Sequence, residues 1–526
     1  MRFFNTAGPV RCDEHYCLPP LERFDLSHIL SLIEQKKYFI LHAPRQTGKT
    51  STLLALMDNL NQDEHYHCLY INAEMGQSAR ENVKRGVRAI LSEMGTRAKD
   101  YLGLDELNEV WPALLEKHGE DAAINQAFTV MAQTSAKPLV LLIDEIDSLV
   151  GDTLIAVLRQ LRAGYDKRPG SFPQSVVLCG VRDIRDYRIH SSQMKEIITG
   201  GSAFNIKAES LRLGNFSQAE VKRLYQQHTD ETEQVFEEDA LALAWELTQG
   251  QPWLVNALAY ENCFKMEAGQ ERANPITAEM ITEAKERLIL HRETHLDQLA
   301  DKLQETRVRR VIEPILSGIS SPDLIPTDDI QYVQDLGLIR IDEGQLALAN
   351  PIYQEVIPRE LTYSTQLTIA QQPAWYIASD GRLDMEKLLT AFQQFFREHS
   401  KSWVERFDYK EAGPQLLMQA FLQRIINSGG RVEREYGLGR GRTDLLAIWP
   451  VDGGEQRVVV ELKLLHRSLE KTVAPGLEQT WAYMDQSGAE AGHLVIFDRD
   501  ETRSWDEKIF SREEEYQGTT IKVWGM

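Results

Sequence analysis

Between Tyr38 and Phe204 short apolar runs alternate with longer amphipathic segments. The runs Tyr38–His42, Cys68–Ala73, Leu139–Ile143 and Ser175–Gly180 have strand length and little inner polarity, as expected of strands covered on both faces of a parallel sheet. The stretches between them are long enough for crossover helices, so the pattern predicts an α/β layer. From Ser217 to about Leu290 the period becomes helical. Phe236–Leu247 reads as a helix, Gly250-Gln251-Pro252-Trp253 breaks it, and a new helix follows. Val308–Ser317 and Thr327–Leu336 read as helices and Leu338–Leu348 as two short strands about Asp342-Glu343-Gly344, which together predict a winged helix.

A more polar stretch, Thr362–Gly381 with Gln371-Gln372-Pro373, reads as a linker. Beyond it come a helix Glu411–Asn427, strands Arg431–Tyr436, Thr443–Trp449 and Arg457–Leu464, a helix Pro475–Met484 and a strand His493–Phe497. The expected division is an α/β core over 1–215, a helical appendage over 216–290, a winged helix over 291–361, a linker over 362–400 and a last α/β domain over 401–526.

The first strand runs directly into Ala43-Pro44-Arg45-Gln46-Thr47-Gly48-Lys49-Thr50, which opens a helix Thr50–Leu60. This is the Walker A pattern with Ala43 at the first glycine position. Such a loop turns its N–H groups toward phosphate oxygens at a helix N-terminus, with a lysine charge and a hydroxyl for magnesium. The alanine methyl is tolerated if its φ stays negative. The second half of the constellation is Leu139–Ile143 ending in Asp144-Glu145, which places Asp144 beside magnesium and Glu145 where it can polarise a water. Asp147 reads as a cap or surface charge. Arg182 and Arg185 follow the strand Ser175–Gly180, where an arginine can sense or stabilise a γ-phosphate or be a plain solvated charge. Pro252 offers an apolar face to a nucleobase, although Gly250-Gln251-Pro252 reads equally as a plain helix break.

These residues, with Phe204-Asn205-Ile206 and Gly250-Gln251-Pro252-Trp253, resemble the AAA-like ATPases of prokaryotes, related to the STAND class of signalling NTPases, over about Arg2–Leu361. The resemblance implies a P-loop ATPase core with a helical lid, ATP rather than GTP, nucleotide-driven switching and a homo-oligomer.

A second cluster lies in the last domain. Asp444 begins the apolar run Leu445–Ile448, and Glu461 and Lys463 sit in Val458-Val459-Val460-Glu461-Leu462-Lys463. Residues two apart share a strand face, so Glu461 and Lys463 project together. Charges this deep in an apolar run are costly, and magnesium on Asp444 and Glu461 compensates, with Lys463 positioning a water or neutralising a phosphate. The competing reading is an edge strand with a structural ion pair. The order of helix, strand, Asp, Glu-x-Lys and helix resembles the PD-(D/E)xK nuclease superfamily over Lys401–Met526, with Thr443 where a proline often stands. That resemblance implies a restriction-endonuclease-like fold and the catalytic set Asp444, Glu461 and Lys463. It also implies a further metal carboxylate at Glu411 and a helix motif at Gln479 and Tyr483.

Net charge is −21, from 58 Lys and Arg against 79 Asp and Glu, so any contact with nucleic acid has to be local. Residues 401–470 hold 11 basic and 10 acidic residues, and Arg431, Arg434, Arg440 and Arg442 among Gly437, Gly439 and Gly441 make a phosphate-gripping rim the expectation, with ordinary solvated arginines as the alternative. The supposed recognition helix of the winged domain carries Asp328, Asp329 and Asp335 and no basic residue, which suits a protein partner better than a DNA groove. Five scattered cysteines suggest reduced thiols, Cys12 and Cys17 lacking the second pair a zinc site needs. Met1–Val10 has no signal-like core and no run reaches membrane-spanning length, so a cytoplasmic protein is expected. The leading expectation is an ATP-controlled, magnesium-dependent nuclease acting on DNA. The alternative is a nucleotide-dependent signalling or assembly protein whose last domain binds nucleic acid without cutting it.

Overall fold

A computed structural model describes residues 1–62, 65–183, 188–191, 196–199, 204–291, 299, 301–316, 325–342, 344–361, 375–404, 412–426, 430–436, 443–465, 468–500 and 502–526. Side chains are not described at 188–191, 196–199, 399–404, 412–413, 424–426, 434–436 and 443–444. The chain divides into a unit of 1–288 with 335–337, and a unit of 289–334 with 338–526.

The first unit is built on a five-stranded sheet of β1 (Tyr38–His42), β2 (His67–Asn72), β3 (Leu139–Asp144), β4 (Ser175–Gly180) and β5 (Lys207–Arg212). Every pairing is parallel and the order is β2-β3-β4-β1-β5. Strand alternation sends Phe39, Leu41, Tyr70, Leu142 and Val177 to one face, under α1 (Leu26–Glu34) and α2 (Lys49–Gln62). It sends Ile40, Leu69, Leu141, Ile143 and Leu178 to the other, under α3 (Val83–Leu102), α4 (Glu106–His118), α5 (Ala123–Thr134) and α6 (Gly151–Ala163). Burial on both faces explains why these strands read as continuous apolar runs. β5, with the sequence Lys-Ala-Glu-Ser-Leu-Arg, is an edge strand whose polarity hid it from the hydrophobic pattern.

Helices that continue this unit include α7 (Gln218–Thr232), capped by a reciprocal Ser217–Glu220 box, α8 (Glu238–Thr248) and α9 (Pro252–Tyr260), with Pro252 at its first turn. Between α8 and α9, Gly250 has φ 68°, and a Cβ there would lie 1.8 Å from the Phe216 carbonyl oxygen. Gly250→Ala is therefore expected to cost about 1–3 kcal/mol in backbone strain alone, before overlap with that carbonyl, and to lower the thermal unfolding midpoint.

The N-terminal stretch binds this helical layer. The Arg2 backbone N–H and guanidinium Nε donate to the Glu231 carboxylate, the Trp253 indole donates to the Thr6 carbonyl at 2.8 Å, and Gln227 both donates to and accepts from the Cys17 backbone. Cys12 and Cys17 form a disulfide, which corrects the expectation of five reduced thiols. The two sulfurs come together because a tight local turn, with the His15 N–H donating to the Arg11 carbonyl, folds the chain back between them. Cys68, Cys179 and Cys263 are free and buried.

The second unit contains α10 (Thr306–Leu316), α11 (Thr327–Asp335, whose last residue falls in the first unit), the antiparallel pair β6 (Ile339–Asp342) and β7 (Gln345–Leu348), and α12 (Pro351–Leu361). It also holds a six-stranded mixed sheet of β8 (Arg431–Tyr436), β9 (Thr443–Val451), β10 (Gly454–Leu464), β11 (Ala491–Phe497), β12 (Phe510–Tyr516) and β13 (Thr519–Gly525), in the order β8-β9-β10-β11-β13-β12. β10 to β11 and β11 to β13 are parallel and the outer pairings antiparallel.

One face of this sheet, with Leu445, Val460, Leu462 and Phe497, packs under α13 (Met385–Val404) and α14 (Ala412–Ile426). The other, with Leu446, Val459, Leu494 and Val523, packs under α15 (Leu469–Ser487). The linker expected over 362–400 is thus corrected at its end: Leu388, Leu389, Phe392 and Phe396 form one helical stripe of α13 buried in that core. Residues 362–374 lie outside the described residues. Among the described residues no helix is long and apolar enough to cross a membrane.

Candidate functional site

The loop from β1 to α2 is shaped by two positive φ angles, 57° at Gln46 and 91° at Gly48; Ala43 is not among the positive-φ residues, so its methyl is accommodated. Ala43 is instead fixed to the sheet, its N–H donating to the Gly180 carbonyl at 3.2 Å. Thr47 Oγ1 donates to the Pro44 carbonyl at 2.8 Å. The Lys49 ammonium, 4% exposed, lies inside the loop and donates to the Ala43 and Pro44 carbonyls at 3.2 and 3.1 Å. Helix α2 starts at Lys49, one residue before the predicted Thr50, so its N-terminus faces the loop.

Asp144 ends β3 next to this loop. Thr50 Oγ1 donates to its Oδ2 at 2.7 Å, and the Glu145 N–H donates to its Oδ1 at 2.9 Å. A hydroxyl and a carboxylate in contact at a helix N-terminus are the hard oxygen donors that magnesium takes alongside phosphate, so the residues fit that ion. Glu145 is held in the left-handed region, φ 50°, a strained setting of a kind that clusters at reactive sites. Burial raises its carboxyl above the usual range, Lys49 and Arg45 oppose the shift, and Asp147 and Asp144 add to it. Glu145 and Arg45 line a cavity of about 550 Å³ with Asp147, Ser148 and Arg80.

A second cavity, of about 120 Å³, is lined by Gln46, Thr47 and Gly48 of the loop, by Pro252 and Trp253, and by Asn5, Thr6, Ala7, Gly8 and Val10. Pro252 is therefore at once a helix start and a cavity wall. Two contributors went unread in the sequence. The N-terminal stretch is too short and irregular to carry a period. Arg23 reaches the loop from outside any motif: its guanidinium donates to the Thr47 carbonyl and, at 2.6 Å, to the Gly214 carbonyl, and it lies 4.7 Å from the Phe216 ring centroid. Burial lowers Arg23 to about 10, with Glu220 opposing.

Arg182 lines neither cavity. Its Nε is 3.3 Å from Asp335 Oδ2, with the side chains 10% and 1% exposed. Arg185 lies outside the described residues.

In the last domain Asp444 and Glu461 are Cα partners across β9 and β10, and for Asp444 the backbone register alone is described. Glu461 is fully buried and its Oε1 is 2.5 Å from the Lys463 ammonium, itself 17% exposed. Leu462 enters the opposite core, as the alternation predicts. Gln479 is on α15, which covers the Glu461 face, and its Oε1 is buried with no hydrogen-bond partner among the described residues. α15 begins at Leu469, capped by Ser468, so the predicted start at Pro475 is corrected: proline here sits inside the helix.

Glu411 and residues 437–442 lie outside the described residues. Arg431, expected on the phosphate-gripping rim, pairs with Glu433 and Glu455 at 3.0 and 3.3 Å. In α11 Asp329 is buried against Arg307 and Arg310 and Asp335 is also buried, which leaves Asp328 as the exposed acid of the three. Among the described residues no group of three or more His, Cys, Asp or Glu gathers as a metal site.

Residues 22–358 match the model of a family described as AAA-like domain. No curated protein matches the chain. Among solved structures, a Walker-type ATPase of Pyrococcus abyssi aligns at 12% identity over 67% of this chain and 99% of that one, with a TM-score of 0.45. A variant of RuvB from Thermotoga maritima aligns at 14% identity over 64% and 94%, TM-score 0.34, and Cdc6p from Pyrobaculum aerophilum at 13% over 65% and 93%, TM-score 0.35. With the family model spanning well over half of its length, and a parallel sheet that leads into a Walker loop, the chain belongs to the AAA-like domain family of P-loop ATPases.

Proposed function

We propose that the chain is an ATP-binding and ATP-hydrolysing switch that controls a magnesium-dependent nuclease domain at its C-terminal end. The observation that carries the first half is the contact of Thr50 with Asp144 beside the buried Lys49 and the strained Glu145. In this reading the loop N–H groups and the α2 N-terminus hold the phosphates, and the Lys49 ammonium exchanges its two carbonyl acceptors for phosphate oxygens. Thr50 and Asp144 would hold magnesium, which would supply positive charge to the nucleotide phosphates. Glu145 accepts the proton of a water aimed at the γ-phosphorus. Pro252 faces the base from the wall of the smaller cavity. Arg182, engaged by Asp335, becomes available to the γ-phosphate only if that pair opens.

A pH profile follows from Glu145. The carboxyl works as a base only when ionised, and its affinity for the proton is raised, so turnover is retained above the raised value and lost as pH falls through it. The acid limb of kcat is expected above 4.5, the ordinary value for a glutamate. An acid limb at or below that value would contradict the assignment.

For the nuclease half, the supporting observation is the Asp444–Glu461 register beside the Glu461–Lys463 pair. A buried ion pair is weak evidence for a stabilising role, and the partial exposure of Lys463 supports reading the pair as part of a phosphate site. Asp444 and Glu461 would hold magnesium, which would supply Lewis-acid stabilisation of the scissile phosphate. Lys463 orients the attacking water, and Gln479 lies on the helix over the same face. DNA is the proposed substrate, with a homo-oligomer as the proposed assembly and a protein partner at the winged helix.

The Glu461–Lys463 distance also favours a second reading, since the pair already satisfies both charges. In that case the last domain grips nucleic acid without cutting it and ATP controls assembly. Purified protein with linear, nicked and single-stranded DNA and magnesium separates the two. Cleavage supports the first reading. Loss of assembly in Lys49→Ala, with no measurable effect of Glu461→Ala, supports the second.

A further inference from the structure

The Asp144 carboxylate has a donor that no Walker motif contains. Tyr70 lies on β2, the strand paired with β3, where its Cα partner is Leu142, two residues before Asp144. It is 3% exposed and packs with Cys68, Val140, Leu142 and Leu53, a setting any large apolar residue would satisfy. The phenol oxygen is therefore the feature to explain, and it donates to Asp144 Oδ2 at 3.0 Å. Thr50 Oγ1 donates to the same oxygen at 2.7 Å, and the Glu145 N–H to the other at 2.9 Å. Three donors from three elements thus fix a carboxylate whose terminal torsion is otherwise broad and roughly two-fold.

We propose that Tyr70 is a positioning residue, holding Asp144 in the orientation that receives the magnesium of the bound nucleotide. The Arg97 guanidinium, 5.9 Å from the ring centroid and anchored to Glu93 and Tyr101, limits ring movement from the far side. An outer partner of this kind raises metal affinity without touching the metal, and loss of such a partner weakens metal binding by 10- to 100-fold in comparable sites, an order-of-magnitude guide. Without the phenol, Asp144 Oδ2 would be held by Thr50 Oγ1 alone among the described residues.

The inference rests on the P-loop reading, and the experiment separates the two. Manganese is titrated into the full chain carrying a non-hydrolysable ATP analogue, and bound metal is read by electron paramagnetic resonance. Tyr70→Phe is expected to weaken manganese about 10-fold while the metal-free affinity for the analogue stays within about twofold of wild type. Manganese affinity unchanged in a folded Tyr70→Phe protein overturns the inference and leaves the P-loop reading intact. Failure of the wild type to bind manganese with the analogue overturns both. Should Tyr70→Phe fold poorly, Tyr70→Leu, which also lacks the donor, serves as the second variant, with the same manganese loss expected and an unchanged affinity again counting against the proposal. Asp144→Asn completes a double-mutant cycle: adding Tyr70→Phe to it should change manganese affinity no further, and an additive loss would show that Tyr70 acts elsewhere.

Discussion

Glu145→Gln is expected to lower ATP turnover by roughly 10²- to 10⁴-fold while ATP still binds, because the amide keeps the shape of the side chain and loses its capacity to take a proton. Phosphate release measures the first quantity and a fluorescent ATP analogue the second. The distinction matters because Lys49 is buried against the loop carbonyls, so Lys49→Ala removes binding and turnover together. If Glu145→Gln turned over ATP at the wild-type rate, the base would have to be sought elsewhere, and Asp147, on the same cavity, would be the first place to look.

The second large effect concerns DNA. Lys463→Ala is expected to cut the rate of cleavage by about 10³-fold, equivalent to about 4 kcal/mol of transition-state stabilisation, and Asp444→Ala by at least as much. Both are read on linear DNA with magnesium, against the wild type at equal concentration. Removing Lys463 also leaves Glu461 fully buried without its closest cation, so thermal unfolding has to be followed in parallel. Loss of cleavage with an unchanged unfolding midpoint identifies chemistry; equal cutting by wild type and both variants would refute the nuclease proposal.

The parts of the fold legible in the sequence were those in which local pattern and tertiary role coincide. β1, the Walker loop and α2 follow one another without interruption, and β3 is an apolar strand that ends in two acids. β8 and β4 have the predicted bounds because turn residues flank each of them. What escaped was chemistry shared between distant segments. Tyr70 looked like core because all but one of its atoms behave as core. Arg23 acts on Thr47 and Gly214 through a contact that no spacing encodes. α13 reads as connecting chain in the sequence because its polar positions mask one narrow stripe of Leu and Phe. β12, with Arg512, Glu513, Glu514 and Glu515 in succession, reads as surface; it is the edge of a sheet, where such charges discourage pairing with another chain.

The Trp253–Thr6 hydrogen bond joins residues 247 apart in the sequence. As a nascent chain leaves the ribosome, the Walker loop is made some two hundred residues before the helix that completes its surroundings. A contact of such long range forms late in folding, since the entropy of closing the intervening loop must be met first. The smaller cavity thus lacks part of its lining until Trp253 has emerged, so its surroundings are completed late in synthesis.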